Sequence, residues 1–163
     1  MICLPKGVSK DQLINDLKQI TWEADDIFTF YTNVLKNSEH LKTEFLGDVD
    51  FSDPVTKADI EVNQLIINGI KNKYPHCKWN FLSEEDVKNS NLIQFSNPWT
   101  WVIDPLDGTK DFLQGTGEFA LHIALVFENE PIIGIVLLPS KEELWISING
   151  EETWCENKSR NKT

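Results

Sequence analysis

An α+β fold, two helices packed on a largely antiparallel sheet, is what the 163-residue sequence predicts. Three observations carry this. Apolar residues recur at helical spacing up to Pro75, and strand-like alternation follows it. Hydrophobic residues make up 40% of the chain and charged residues 25%, enough for the core of one ordinary domain.

The elements follow in order. Leu13, Ile14, Leu17, Ile20, Ala24, Ile27, Phe28, Tyr31, Val34 and Leu35 recur at three- and four-residue steps, so residues 10 to 37 are expected to form one long helix. Ser9 or Asp11 would cap it, and Asp16, Glu23, Asp25 and Asp26 would form a solvated face. Residues 38 to 52, with Gly47, read as a loop or short hairpin. A second helix opens near Thr56 and closes before Pro75. "CKWNFLS" then alternates into the acidic run Glu84, Glu85, Asp86, and a polar link leads through Pro98 to "WTWVI". "FALHIALVF" and "IIGIVLLP" flank the turn "ENEP" as a hairpin, and "ELWISING" adds a further strand. The closing "CENKSRNKT" is polar and expected to fray, so the domain is drawn over 1–155 with a tail over 156–163. No internal repeat or low-complexity segment interrupts the pattern.

Charge and cysteines narrow the class. A formal net charge of −11 with no Lys/Arg stripe excludes a nucleic-acid backbone as partner; the excess acid either serves solubility or holds cations. Cys3, Cys77 and Cys155 are scattered, which favours reduced thiols and a cytoplasmic location over a thiol-ligated metal. "MICLPKGVSK" lacks the form of a signal peptide, and no apolar run approaches a membrane span. The sequons at Asn157 and Asn161 read as chance matches on that basis.

The chemistry concentrates in "WVIDPLDGTKDF", where a buried strand runs into two aspartates around a proline. Pro105 biases Asp104 towards extended backbone, so Asp104 ends the strand with its side chain in a set direction. Asp104, the Leu106 carbonyl and Asp107 then offer three oxygen donors, a set suited to Mg²⁺ or Mn²⁺ rather than zinc. Gly108 permits close approach, and the amides of Gly108 and Thr109 open a short helical turn where an anion is held. Taken alone, the segment is equally well a strand-to-turn connection, in which Asp, Pro and Gly are common. "FLSEED" also ends a strand on carboxylates, and in one sheet with the first it would bring Glu84 towards Asp104 and Asp107. Two metal ions on one phosphate need such a geometry, although "EED" by itself reads as a solvated loop. In "DPVTKAD", Asp59 stands three residues after Thr56 and reads first as a capping box.

These pieces in this order, "PVTKAD", "LSEED", "WVIDPLDGTKDF", "GEFALHIALV" and "PIIGIV", resemble the inositol monophosphatase superfamily of metal-dependent phosphatases. The resemblance runs from about Leu13 to about Cys155, and "SEED", "DPLDGTKDF" and "GEF" look like its CysQ-type 3'(2'),5'-bisphosphate nucleotidase branch. It implies the N-terminal domain of the inositol monophosphatase/fructose-bisphosphatase-like fold. It also implies Mg²⁺ held by Glu84, Asp104, Leu106 and Asp107, and substrate held by Glu84, Asp107, Gly108 and Thr109. Asp59 and Thr109 would polarise the attacking water. The implied reaction is hydrolysis of the 3'-phosphate of adenosine 3',5'-bisphosphate to AMP and phosphate. Members of the superfamily carry a second domain with a Trp-Asp-x-Ala-Ala motif. Here Trp154 precedes Cys155 and Glu156, so the second domain is expected to be absent and self-association to occur through the face it would cover. The rivals are an inositol monophosphatase with the same metal site and a non-catalytic remnant. His40, His76 and His122 are expected to be structural, with His122 buried; Trp99, Trp101 and Trp145 read as core or sheet-face residues, and "GTGEF" as a turn or a cleft wall.

Overall fold

The computed structural model describes residues 4–37, 57–84 and 97–158. Two helices, α1 (Lys10–Asn37) and α2 (Lys57–Lys73), precede β1 (Asn80–Ser83) and β2 (Trp99–Asp107). A short helix α3 (Thr109–Gln114) follows, then β3 (Ala120–Phe127), β4 (Glu130–Leu138), β5 (Glu143–Ile148) and β6 (Thr153–Asn157). The strands form one six-stranded sheet in chain order. β1 and β2 pair in parallel and every later pair is antiparallel, so the expected α+β architecture holds. Thr56, Glu85 and Asp86 and the loop expected over residues 38 to 52 lie outside the described residues.

Side chains divide the sheet into two faces with period two. Trp101, Ile103, Leu121, Ile123, Leu125, Ile135, Leu137, Leu144 and Ile146 are buried and belong to one core with Leu13, Leu17, Phe28, Val62 and Ile66 of the helices. Aromatic contacts fasten the layers. Trp79 meets Trp101 edge-on at 5.4 Å, and Phe28, Phe112 and Phe119 form a triangle with ring centroids 4.9–6.0 Å apart. That triangle ties α3 to α1 and to the start of β3, which fixes the loop between β2 and α3.

Four expectations need correction. The fraying tail is ordered as far as Asn157: β6 pairs with β5 from Thr153 to Asn157, because backbone hydrogen bonds to an edge strand make no demand on side-chain polarity. The acids of α1 do not all face solvent, since Asp16 and Asp25 are buried. Asp16 accepts from Tyr74 Oη at 2.7 Å and Lys73 Nζ at 2.9 Å, and Asp25 from Lys158 Nζ at 2.7 Å. Finally, His122 is not buried; its side chain is 45% exposed, because even-numbered residues of β3 point away from the helices. The first strand also starts at Asn80, three residues later than the alternation from Cys77 suggests.

Candidate active site

Parallel pairing of β1 with β2 sets the site. Ser83 lies opposite Ile103, so both strands deliver their carboxylates, Glu84 and Asp104, to the same edge of the sheet. β2 then slips register against β3 between Asp104 and Asp107, across the proline that cannot donate to the ladder. Pro105 and Leu106 turn inward and are buried, while Asp107 emerges exposed. The strand thus ends with two aspartates displayed around an anchored Pro-Leu pair.

Gly108 is the pivot. Its φ is +81°, and an added Cβ would lie 2.6 Å from the Glu118 carbonyl oxygen, so only glycine lets the chain pass there. The Phe112 amide donates to the Gly108 carbonyl at 2.9 Å and starts α3. Thr109 Oγ1 donates to the Leu106 carbonyl at 3.0 Å, which leaves the hydroxyl oxygen able to accept from a water. Asp111 closes the segment, accepting from Thr116 Oγ1 at 3.0 Å. Asp59 is buried in the first turn of α2.

Electrostatics single out Asp104. Burial, followed by the negative charges of Glu84 and Asp107, pushes its carboxyl above the ordinary value; the His122 charge and a hydrogen bond from the Leu106 amide pull the other way. Its Oδ1 is buried with no hydrogen-bond partner. His122, directly across the strand pair from Asp104, places Nε2 3.6 Å from Asp107 Oδ2. The sequence gives one cue for this neighbour: His122 has the parity of Ala124 and Val126, opposite to the apolar Leu121, Ile123 and Leu125.

The structure brings Glu84, Asp104, Leu106, Asp107, Gly108 and Thr109 to one edge of the sheet. A divalent cation fits this donor set on two counts. An orphaned, buried carboxylate oxygen faces like charges, and the available donors are hard oxygens. Among the described residues, no three His, Cys, Asp or Glu side chains group closely enough to enclose a metal by themselves. The Leu106 carbonyl, which keeps a second lone pair, is the non-carboxylate donor in the set.

The model of the inositol monophosphatase family matches residues 16–163. Over 103 residues the chain is 37% identical to the 3'(2'),5'-bisphosphate nucleotidase CysQ of Escherichia coli (strain K12), covering 63% of this chain and 40% of that protein. It is 35% identical over 114 residues to an inositol monophosphatase of Dictyostelium discoideum, covering 70% and 40%. Among solved structures, the extragenic suppressor protein suhB of Bartonella henselae superposes with a TM-score of 0.70 at 26% identity, covering 89% of this chain and 52% of that one. CysQ of Bacteroides thetaiotaomicron, a bacterial member of the inositol monophosphatase family, gives 0.59 at 25% identity, covering 82% and 45%. The chain spans about 40% of the length of the curated relatives it matches.

Proposed function

The chain belongs to the inositol monophosphatase family, and from that premise we propose that it contributes the metal-binding half of a Mg²⁺-dependent phosphatase acting on adenosine 3',5'-bisphosphate. The observation that carries this reading is the Asp104 carboxylate, partly buried, its Oδ1 unpartnered, and faced by Glu84 and Asp107. Such a cluster costs folding free energy unless it shares a cation. The Escherichia coli relative, a 3'(2'),5'-bisphosphate nucleotidase, supplies the substrate class.

When bound, the cation would polarise the phosphoryl oxygens and make water a better nucleophile at neutral pH. Glu84, Asp104, Asp107 and the Leu106 carbonyl would hold it. Thr109, whose hydroxyl proton is committed to the Leu106 carbonyl, accepts from the attacking water and orients it, with Asp59 taking part in the proton's removal. Water adds to phosphorus as the bond to the ribose 3' oxygen breaks; its proton passes towards Asp59, and the leaving oxygen takes a proton from solvent water, which gives AMP and phosphate. Gly108 lets the turn that carries the Thr109 amide pass against the Glu118 backbone.

A second reading, an inositol monophosphatase, is favoured by the 35% identity to the Dictyostelium enzyme. One assay decides between them: phosphate release from adenosine 3',5'-bisphosphate and from inositol monophosphate, each with and without Mg²⁺. Mg²⁺-dependent release from the nucleotide is expected. Release from inositol monophosphate alone would overturn the substrate assignment, and release from neither would overturn the activity of this chain.

A further inference from the structure

Beside Asp107 lies a cavity of about 200 Å³ lined also by Gly117, Glu118, Leu138, Ser140 and Lys141. It opens between the end of β2 and the 3₁₀ turn Pro139–Lys141 that links β4 to β5. The turn is braced. Ser140 Oγ donates to the Gly117 carbonyl at 2.7 Å, the Glu142 amide donates to the Pro139 carbonyl at 3.1 Å, and the Lys158 amide ties the Glu142 carbonyl to β6. Gly117, at φ +85°, lets the two loops touch, since a Cβ there would meet Ser140 Oγ at 2.8 Å.

This bracing matters because of what the turn carries. In a chain of net charge −11, Lys10, Lys18, Lys73 and Lys158 pair with carboxylates, and Lys71 lies over the Phe81 ring. Lys141 has no such ion pair among the described residues, and it is the one cation among the residues that line the cavity. Ser140 has donated its proton to Gly117, so its hydroxyl offers an anion nothing.

We propose that this cavity is an anion subsite, in which Lys141 holds the second phosphate of a bisphosphate substrate while the first lies at Asp104 and Asp107. The proposal rests on the phosphatase reading above. Asp107 spends its charge on the cation, so the occupied subsite sets Lys141 against Glu118 alone. Two substitutions therefore move affinity in opposite directions: Lys141→Met weakens binding of the bisphosphate, and Glu118→Gln tightens it.

The test is calorimetric titration of the 163-residue chain with adenosine 3',5'-bisphosphate and with adenosine 3'-monophosphate, in saturating Ca²⁺, a hard cation that fills an oxygen site in place of the Mg²⁺ that supports turnover. The wild type is expected to bind the bisphosphate about tenfold more tightly, the scale of one charge-assisted hydrogen bond near solvent. Lys141→Met should erase that difference and leave both the monophosphate affinity and the melting temperature unchanged, while Glu118→Gln widens it. A difference that survives Lys141→Met overturns the subsite and leaves the metal-site reading standing. Binding of neither nucleotide overturns both, and a Mg²⁺ titration followed by tryptophan fluorescence then shows whether the cation site itself survives.

Discussion

Carboxylates leave solvent in two regions of this protein, and the two regions treat them oppositely. Along α1, Asp16 and Asp25 are buried with partners. Burial pushes Asp16 up, but the hydrogen bonds from Tyr74, Lys73 and Gln12 bring its carboxyl below the ordinary value. Asp25 is held above its ordinary value by burial, with Lys158 offsetting part of that. At the end of β2, Asp104 is withdrawn from solvent and faces two other acids, Glu84 and Asp107, whose effect on its carboxyl outweighs that of His122. The first arrangement completes a fold. The second works against the fold until a cation arrives, and that asymmetry separates a structural acid from a ligand.

The largest effect that sharpens the contrast is at Asp104. Asp104→Asn should lower Mg²⁺-dependent phosphate release by about a hundredfold or more, since a ligand that polarises the phosphoryl group contributes several kcal/mol. The metal-free variant should melt no lower than the wild type, because the amide removes a repelled charge. The sign is fixed by the raised carboxyl: the folded state binds that proton more tightly than the unfolded chain, so the wild type loses stability as pH rises from the usual carboxylate range through the raised value. Asp104→Asn removes the Asp104 share of that slope and leaves the share of Asp25, also held above its ordinary value, and thermal melts across pH without metal would detect the difference.

Asp16→Ala should do the reverse, costing about 2–3 kcal/mol in urea unfolding, because it strands the buried Tyr74 hydroxyl and removes the ion pair with Lys73. Turnover per folded molecule should stay unchanged. Gly108→Ala sits between the two regions in kind. It should cost about 2 kcal/mol of stability and weaken Mg²⁺ binding as well, since the new methyl must displace the Glu118 backbone. The smallest effect is expected from Lys158→Met, about 1 kcal/mol at neutral pH through the loss of the cation over Asp25. That loss should shrink on acidification: with its carboxyl held above the usual value, Asp25 takes up a proton as pH falls through that value and no longer needs a counter-charge.

Local patterns carried much of this into the sequence. The apolar spacing from Leu13 to Leu35 encodes α1, and the alternation through Trp101, Ile103, Leu121 and Ile123 encodes a half-covered sheet. The strand end at Asp104–Asp107 was legible for a different reason, because Pro105 and Gly108 constrain the backbone whatever packs around them. Non-local partners were hidden. Asp16 looks solvated on the helix until Tyr74, 58 residues away, reaches it, and Asp25 until Lys158 arrives from 133 residues away. β6 lacks an apolar face because it joins the sheet edge through its backbone. His122 falls beside Asp107 only through the register of β2 with β3, which no single segment specifies.

The central claim is that the acids at the end of β2 await a cation, and a calorimetric Mg²⁺ titration of the chain against its Asp104→Asn variant tests it most directly. The account predicts saturable binding by the wild type and none by the variant, with the variant fully folded. Equal Mg²⁺ binding by both would contradict it.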